Sequence, residues 1–123
     1  MKVISTNNAP AAIGPYSQGI ISGGLFFASG QIAINPATGE IEGEDIVSQT
    51  TQVMKNIGAL LEAAGTNYTR VVKTSGFLAN MEDFATFNEI YASYFTGKPA
   101  RSCVAVKTLP KNVLCEVEVI AEV

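Results

Sequence analysis

The chain has no histidine, two arginines and two cysteines among its 123 residues. Without histidine it cannot build a Ser-His-Asp triad, a Cys-His pair or a histidine metal site, so any catalysis must use other groups. Cys103 and Cys115 form no CxxC pair and are too few for a disulfide scaffold. Strand alternation further predicts that they point to opposite sheet faces, out of each other's reach, which fits a reducing compartment. The apolar runs fall short of the roughly 20 residues a membrane span needs. The start, MKVISTNNAP, lacks the charged and apolar regions of a signal peptide. The expected location is therefore cytoplasmic. A net charge of −3 gives no general pull toward nucleic acid or an anionic membrane. Lys98, Arg101, Lys107 and Lys111 nevertheless gather near the C-terminal end, which keeps RNA as a minor alternative.

What is present suits one α+β domain over residues 1–123, with 47% apolar residues to build a single core. Lys2 to Thr6 reads as a short strand, followed by a loop rich in Asn, Ala, Gly and Pro that reaches Tyr16. Gln18–Ser22 and Leu25–Gln31 read as a hairpin, because Gly23-Gly24 supplies the positive φ angles of a tight turn. Asn35-Pro36 and Thr38-Gly39 make another turn. From Asp45 to Ala64, Ile46, Val53, Met54, Ile57, Leu60, Leu61 and Ala64 recur at three- and four-residue steps and end at Gly65, which predicts an amphipathic helix. Arg70–Leu78 alternates as a strand in which Gly76 marks a close approach or a bulge. A second helix is predicted from Met81 to Phe95, capped by Asn80, with Phe84, Phe87, Tyr91 and Tyr94 as an aromatic stripe that Asn88 interrupts. Two strands follow. This order implies an antiparallel or mixed sheet with both helices on one face.

The last two strands are expected to pair as a hairpin that carries the site. Alternation sets Arg101, Cys103, Ala105 and Lys107 against Ser102, Val104 and Val106, and Cys115, Val117 and Val119 against Glu116, Glu118 and Glu122. If the apolar halves lie under the helices, Arg101 and Cys103 share the opposite face with Glu116 and Glu118. A face that mixes charges with apolar residues is poorly suited to water, which predicts self-association with clefts at the seams. The same pattern also accommodates a solvated face with exposed ion pairs.

Several segments together resemble the RidA proteins, also called the YjgF family, of enamine and imine deaminases. They are NAPAAIGPYSQG (residues 8–19), ASGQI (28–32), NPATGE (35–40), EAAG (62–65), DFATFN (83–88), PARSCVAV (99–106) and LPKNVLCEVEVIA (109–121). The resemblance implies a chorismate-mutase-like fold, a homotrimer with three clefts between subunits, no cofactor, and a cytosolic role in amino-acid metabolism. It also implies hydrolysis of 2-aminoacrylate, 2-iminopropanoate and 2-iminobutanoate to 2-keto acids and ammonia. Arg101 matches the carboxylate-binding arginine of that family and Glu116 its water-positioning glutamate; Tyr16, Ser29, Gly30, Asn88 and Cys103 match other cleft residues. In one departure, GKPARS follows the second helix almost at once, where relatives carry a longer loop and an aromatic before the proline. Lys98 then borders the cleft and bears on substrate range.

Chemistry agrees with these roles and leaves alternatives beside them. Arg101 offers a planar fork for a carboxylate whose charge is independent of pH, or it makes an ion pair. Glu116 directs a water at the imine carbon, or, with Glu118 on the same face, serves an interface. Cys103 has no histidine to activate it, so a backbone contact or plain packing suits it better than nucleophilic attack. Tyr16, after Gly14-Pro15, covers a ligand or plugs an interface. Asn88 bonds a ligand or a backbone group, and Ser29 and Gly30 end a strand where glycine permits close approach. Two other functions stay open: a non-catalytic binder of small 2-keto acids or related carboxylates, and an RNA-cleaving translation inhibitor, against which the acidic balance argues.

Overall fold

The computed structural model describes residues 1–123. Six strands form one sheet: β1 (Lys2–Ile4), β2 (Gly19–Ser22), β3 (Leu25–Ala28), β4 (Val71–Leu78), β5 (Ala100–Ala105) and β6 (Cys115–Glu122). Its spatial order is β1-β2-β3-β6-β4-β5, with β5 parallel to β4 and every other pair antiparallel. Gly23 and Gly24, at φ of 61° and 77°, close the β2–β3 hairpin as the pair predicts.

Helix α1 (Ile46–Ala63) starts at Asp45, whose carboxylate accepts from the Ser48 N–H at 2.7 Å, and Gly65 lies just past its end at φ 79°. That capping bond, chiefly, lowers the Asp45 pKa below the ordinary carboxylate value. Val53, Met54, Ile57, Leu60 and Leu61 are buried on one side of α1, each contributing about 1.5–3 kcal/mol by removal from water. Helix α2 (Phe84–Tyr94) follows a short 3-10 turn, Met81–Asp83, which Asn80 caps through the Glu82 N–H. Phe87 and Tyr91 on α2 are buried, and the Tyr91 hydroxyl bonds that of Thr74 at 2.7 Å, pinning α2 to β4. Gly76 marks a close approach: a Cβ there would stand 3.3 Å from the Cys103 sulfur and 3.4 Å from the Phe87 ring. The β-bulge lies elsewhere, between Val71 and Lys73. None of the helices is long and apolar enough to cross a membrane.

One predicted pairing is overturned. β5 and β6 do not form a hairpin, because β4 lies between them. Helix α2 returns the chain to the end at which β4 began, so β5 can only run parallel to β4. The segment 106–114 then carries the chain past β4, and β6 enters between β3 and β4.

Candidate functional site

The inserted strand redistributes the side chains between the two faces. Thr74, Gly76 and Leu78 of β4 stand opposite Val119, Val117 and Cys115 on one side and opposite Arg101, Cys103 and Ala105 on the other. Thr74, Leu78, Cys115, Val117 and Val119 are buried beneath the helices, so Arg101 and Cys103 belong to the helix-covered face. Ser75 and Phe77 stand opposite Glu118 and Glu116, which therefore project from the uncovered face. The expectation that Arg101 and Cys103 share a face with Glu116 and Glu118 is thus incorrect. It assumed that Val104 must be buried, but β5 is an edge strand, and Val104 remains 49% exposed on the uncovered side.

The reversed orientation of β5 suits its neighbours. The Arg101 guanidinium lies over the Tyr91 ring at 4.7 Å and the Phe84 ring at 5.5 Å, held by its cationic charge on two aromatic faces. It donates to Asn88 Oδ1 at 2.5 Å. Asn88 thus breaks the aromatic stripe of α2 to orient an arginine, rather than to satisfy a backbone group. Cys103 fits the gap left by Gly76, half-buried, and burial raises its pKa while Arg101 opposes the rise.

The two thiols also share a face, contrary to expectation. Cys103 stands opposite Gly76, and Cys115 stands opposite Leu78 on the far side of β4. Two inter-strand spacings, about 10 Å, keep them as free thiols. Burial drives the Cys115 pKa up to about 11.

Arg101 and Asn88 open onto a cavity of about 330 Å³ at the end of α2, completed by Tyr91, Phe95, Thr96 and Lys98. No carboxylate lines it. A second cavity, of about 400 Å³, is lined by Tyr16, Ser29, Gly30 and Glu116 among others. The sequence-selected residues therefore fall into two groups: Arg101, Asn88 and Cys103 by the edge strand, and Tyr16, Ser29, Gly30 and Glu116 around the inner one.

The second cavity is built by backbone pairing. β3 ends at Ala28, earlier than predicted, but Gln31 still exchanges two backbone hydrogen bonds with Val117, at 2.8 and 3.1 Å. This sets Gly30 directly against Glu116, and a Cβ at position 30 would overlap the carboxylate. Ser29 donates its hydroxyl to the Ser17 carbonyl at 2.6 Å, fixing the loop that presents the exposed Tyr16. Burial, with help from the neighbouring Glu118 charge, raises the Glu116 pKa. Glu118 lies outside this cavity, in a depression with Phe27, Lys73 and Ile120, so structure separates two glutamates that alternation alone could not.

Sequence reasoning missed Gln18, Gln31 and Lys111, which also line the Glu116 cavity. Gln18 is buried, accepts from the Thr6 N–H at 2.7 Å and donates to the Pro10 carbonyl at 2.8 Å, tying down the loop before Tyr16. A polar residue opening a strand next to a Gly-Pro turn is the signal that was available for it. Lys111 comes into reach because it and Asn112 adopt φ near 55°, which the sequence does not announce. With Lys98 and Arg101 on one cavity and Lys111 on the other, the expected cationic cluster is divided.

An aromatic-braced arginine on one face, and a glutamate raised in pKa on the other, mark two separate polar cavities in a small α+β protein. The family model described as Endoribonuclease L-PSP matches residues 6–123, and the chain belongs to this family, the YjgF/RidA proteins. It is 59% identical to the Lactococcus lactis protein named "Putative regulator AldR", over 100% of this chain and 98% of that one. It is 48% identical to the 2-iminobutanoate/2-iminopropanoate deaminase of Escherichia coli, covering 98% and 96% of the two chains. The crystal structure of E. coli TdcF with bound serine superposes with a TM-score of 0.95 at 42% identity, covering 100% of this chain and 99% of that one.

Proposed function

We propose that this chain is a hydrolytic deaminase of reactive 2-imino and 2-enamino carboxylates, acting as a homotrimer whose sites lie between copies. The observation that carries this reading is the state of Arg101. Its guanidinium is oriented by a neutral amide oxygen and two rings, in a cavity without a carboxylate, so its charge awaits an anion. A bidentate pair with a substrate carboxylate fixes the substrate in position and direction. Family membership and the name of the E. coli relative support the reaction; the serine bound to TdcF supports an amino-acid-sized ligand.

In the proposed chemistry a water adds across the C=N bond of the bound iminium, forming a C–O bond to the former imine carbon. Glu116 accepts a hydrogen bond from that water, aims its lone pair and takes its proton. The carbinolamine then collapses: the proton held by Glu116 passes through water to the nitrogen, the C–N bond breaks with its electron pair leaving on ammonia, and the hydroxyl gives up its proton through Glu116 and water to that ammonia as the carbonyl forms. The balance is iminium and water to 2-keto acid and ammonium. Burial that raises the Glu116 pKa makes its carboxylate a better base for the water it orients. An imine already reacts with water, so orientation and charge stabilisation suffice.

Within one chain Arg101 and Glu116 leave opposite faces into different cavities. A second copy that sets its Glu116 cavity against the Arg101 edge completes the site. Val3, Phe27 and Val104, exposed on the uncovered face beside Glu118, give that copy an apolar surface to cover.

The test couples a threonine dehydratase to the chain and follows conversion of its imine to 2-keto acid. Acceleration is expected from the native chain, and Arg101→Ala should lower kcat/KM by about 10²–10³-fold with the assembly intact. Tight 2-keto acid binding without acceleration would instead make the chain a carboxylate-binding regulator. RNA cleavage that Arg101→Ala leaves untouched would overturn both readings.

A further inference from the structure

The Arg101 cavity contains a second cation. Lys98 lines it from the turn between α2 and β5, and its backbone there is unusual: φ is 52°, although Lys98 carries a β-carbon and precedes a proline, which narrows its allowed conformations. Local contacts hold this turn. The Lys98 N–H donates to the Phe95 carbonyl at 3.2 Å, and the preceding Gly97 packs against Thr69, whose carbonyl oxygen would meet a Cβ at 3.4 Å. Strained backbone persists where neighbours over-determine it, and such positions cluster at ligand clamps. The depression is open at the Lys98 side, so a substrate held at Arg101 can extend a longer, polar side chain along it. Arg101 and Lys98 are the two cationic residues of its lining, with Thr96 and Asn88 as neutral polar neighbours and no acidic residue among them.

We propose that Lys98 is a specificity-determining residue that holds a second carboxylate, so that the favoured ligands are 2-imino and 2-oxo acids whose side chain ends in a carboxylate. This rests on the reading that Arg101 holds the first carboxylate. A lysine suits the second position, because its compact charge on a flexible stem reaches side chains of differing length, whereas the planar Arg101 fork fixes the carboxylate next to the reacting carbon. The interaction is exposed, so it sets preference rather than deciding whether reaction occurs.

The experiment compares imines generated in place by amino-acid oxidases from glutamate and from 2-aminobutanoate, with catalase present, in the native assembly and its variants. The ratio of the two kcat/KM values should favour the dicarboxylate in the native chain and fall by about threefold to tenfold in Lys98→Met. Lys98→Arg should restore the ratio, and added salt should lower it. Lys98→Gly relieves the backbone strain while removing the charge, and must show the same fall, which separates the charge from any folding defect. A ratio equal in the native chain and Lys98→Met overturns the proposal. Should neither imine be accelerated, the deaminase reading fails by itself, and calorimetric titration with 2-oxoglutarate and 2-oxobutanoate decides the Lys98 proposal. Tighter 2-oxoglutarate binding that Lys98→Met abolishes supports it; an unchanged affinity ratio overturns it.

Discussion

Arg101 and Glu116 lie on strands that flank β4 on either side, yet they leave the sheet in opposite directions and meet different physics. Around Arg101 the neighbours are rings and a neutral amide, which hold a permanent charge in place without neutralising it. Around Glu116 they are a backbone that no side chain at position 30 may crowd, and enough burial to make ionisation costly. On the proposed reading, the first setting is prepared for an anion and the second for a proton. Binding wants a charge that pH cannot remove; water activation wants a group whose protonation is poised. Keeping them on opposite faces also prevents the carboxylate from neutralising the guanidinium within a single chain.

The sharpest way to break this comparison is to divide it between chains. Arg101→Ala and Glu116→Gln are each expected to lose most activity. Refolded together in equal amounts, they should recover about one quarter of native activity, the random-mixing share of clefts with both native residues. No recovery, measured as keto acid release from the mixed assembly, would place both residues in a site of one chain.

Next in size is the Glu116→Gln effect alone, a fall of about 10²-fold in kcat near neutral pH. The native rate should climb as pH rises through a Glu116 pKa lying above the ordinary 4.5, and the variant should lose that limb. Stability should move the other way. A carboxyl whose pKa is raised by folding stabilises the native state below its unfolded pKa, and that contribution is lost as pH rises through the folded value. Glu116→Gln should therefore raise Tm at pH 7, with a smaller gain at pH 4. Melting curves at the two values check it.

The smallest effect is expected from Gly30→Ala, which adds a methyl where the Glu116 carboxylate sits but leaves Arg101 untouched. Displacing the carboxylate should cost about tenfold in kcat with little change in KM. A change confined to KM would show that position 30 serves substrate binding instead.

The helices, the glycine turn and the caps were legible because each depends on neighbours within a few residues. Asp45 caps α1 three residues ahead of its hydrogen-bond donor, and Gly23-Gly24 needs only its own dihedral freedom. The site was legible as a set of residues and illegible as a geometry. Alternation correctly placed Arg101 with Cys103, and Glu116 with Glu118, because period two is local. It could not relate one strand to the other. That relation depends on β6 entering between β3 and β4, a contact between residues some forty positions apart, at Gly76 and Val117. The burial argument then misled, since an edge strand can lay a half-buried arginine against aromatic rings and leave a valine outside.

By itself, the sequence determined the family, the α+β class, the absence of histidine chemistry and the identity of the groups able to bind an anion or move a proton. These follow from composition, local periodicity and motif. The tertiary structure alone decided that those groups fall into two separate cavities, that Asn88 serves Arg101, and that Lys98 joins the same cavity. Facing, adjacency and enclosure are set by which distant strands pair, and that choice is made by the burial of the whole core rather than by any segment within it.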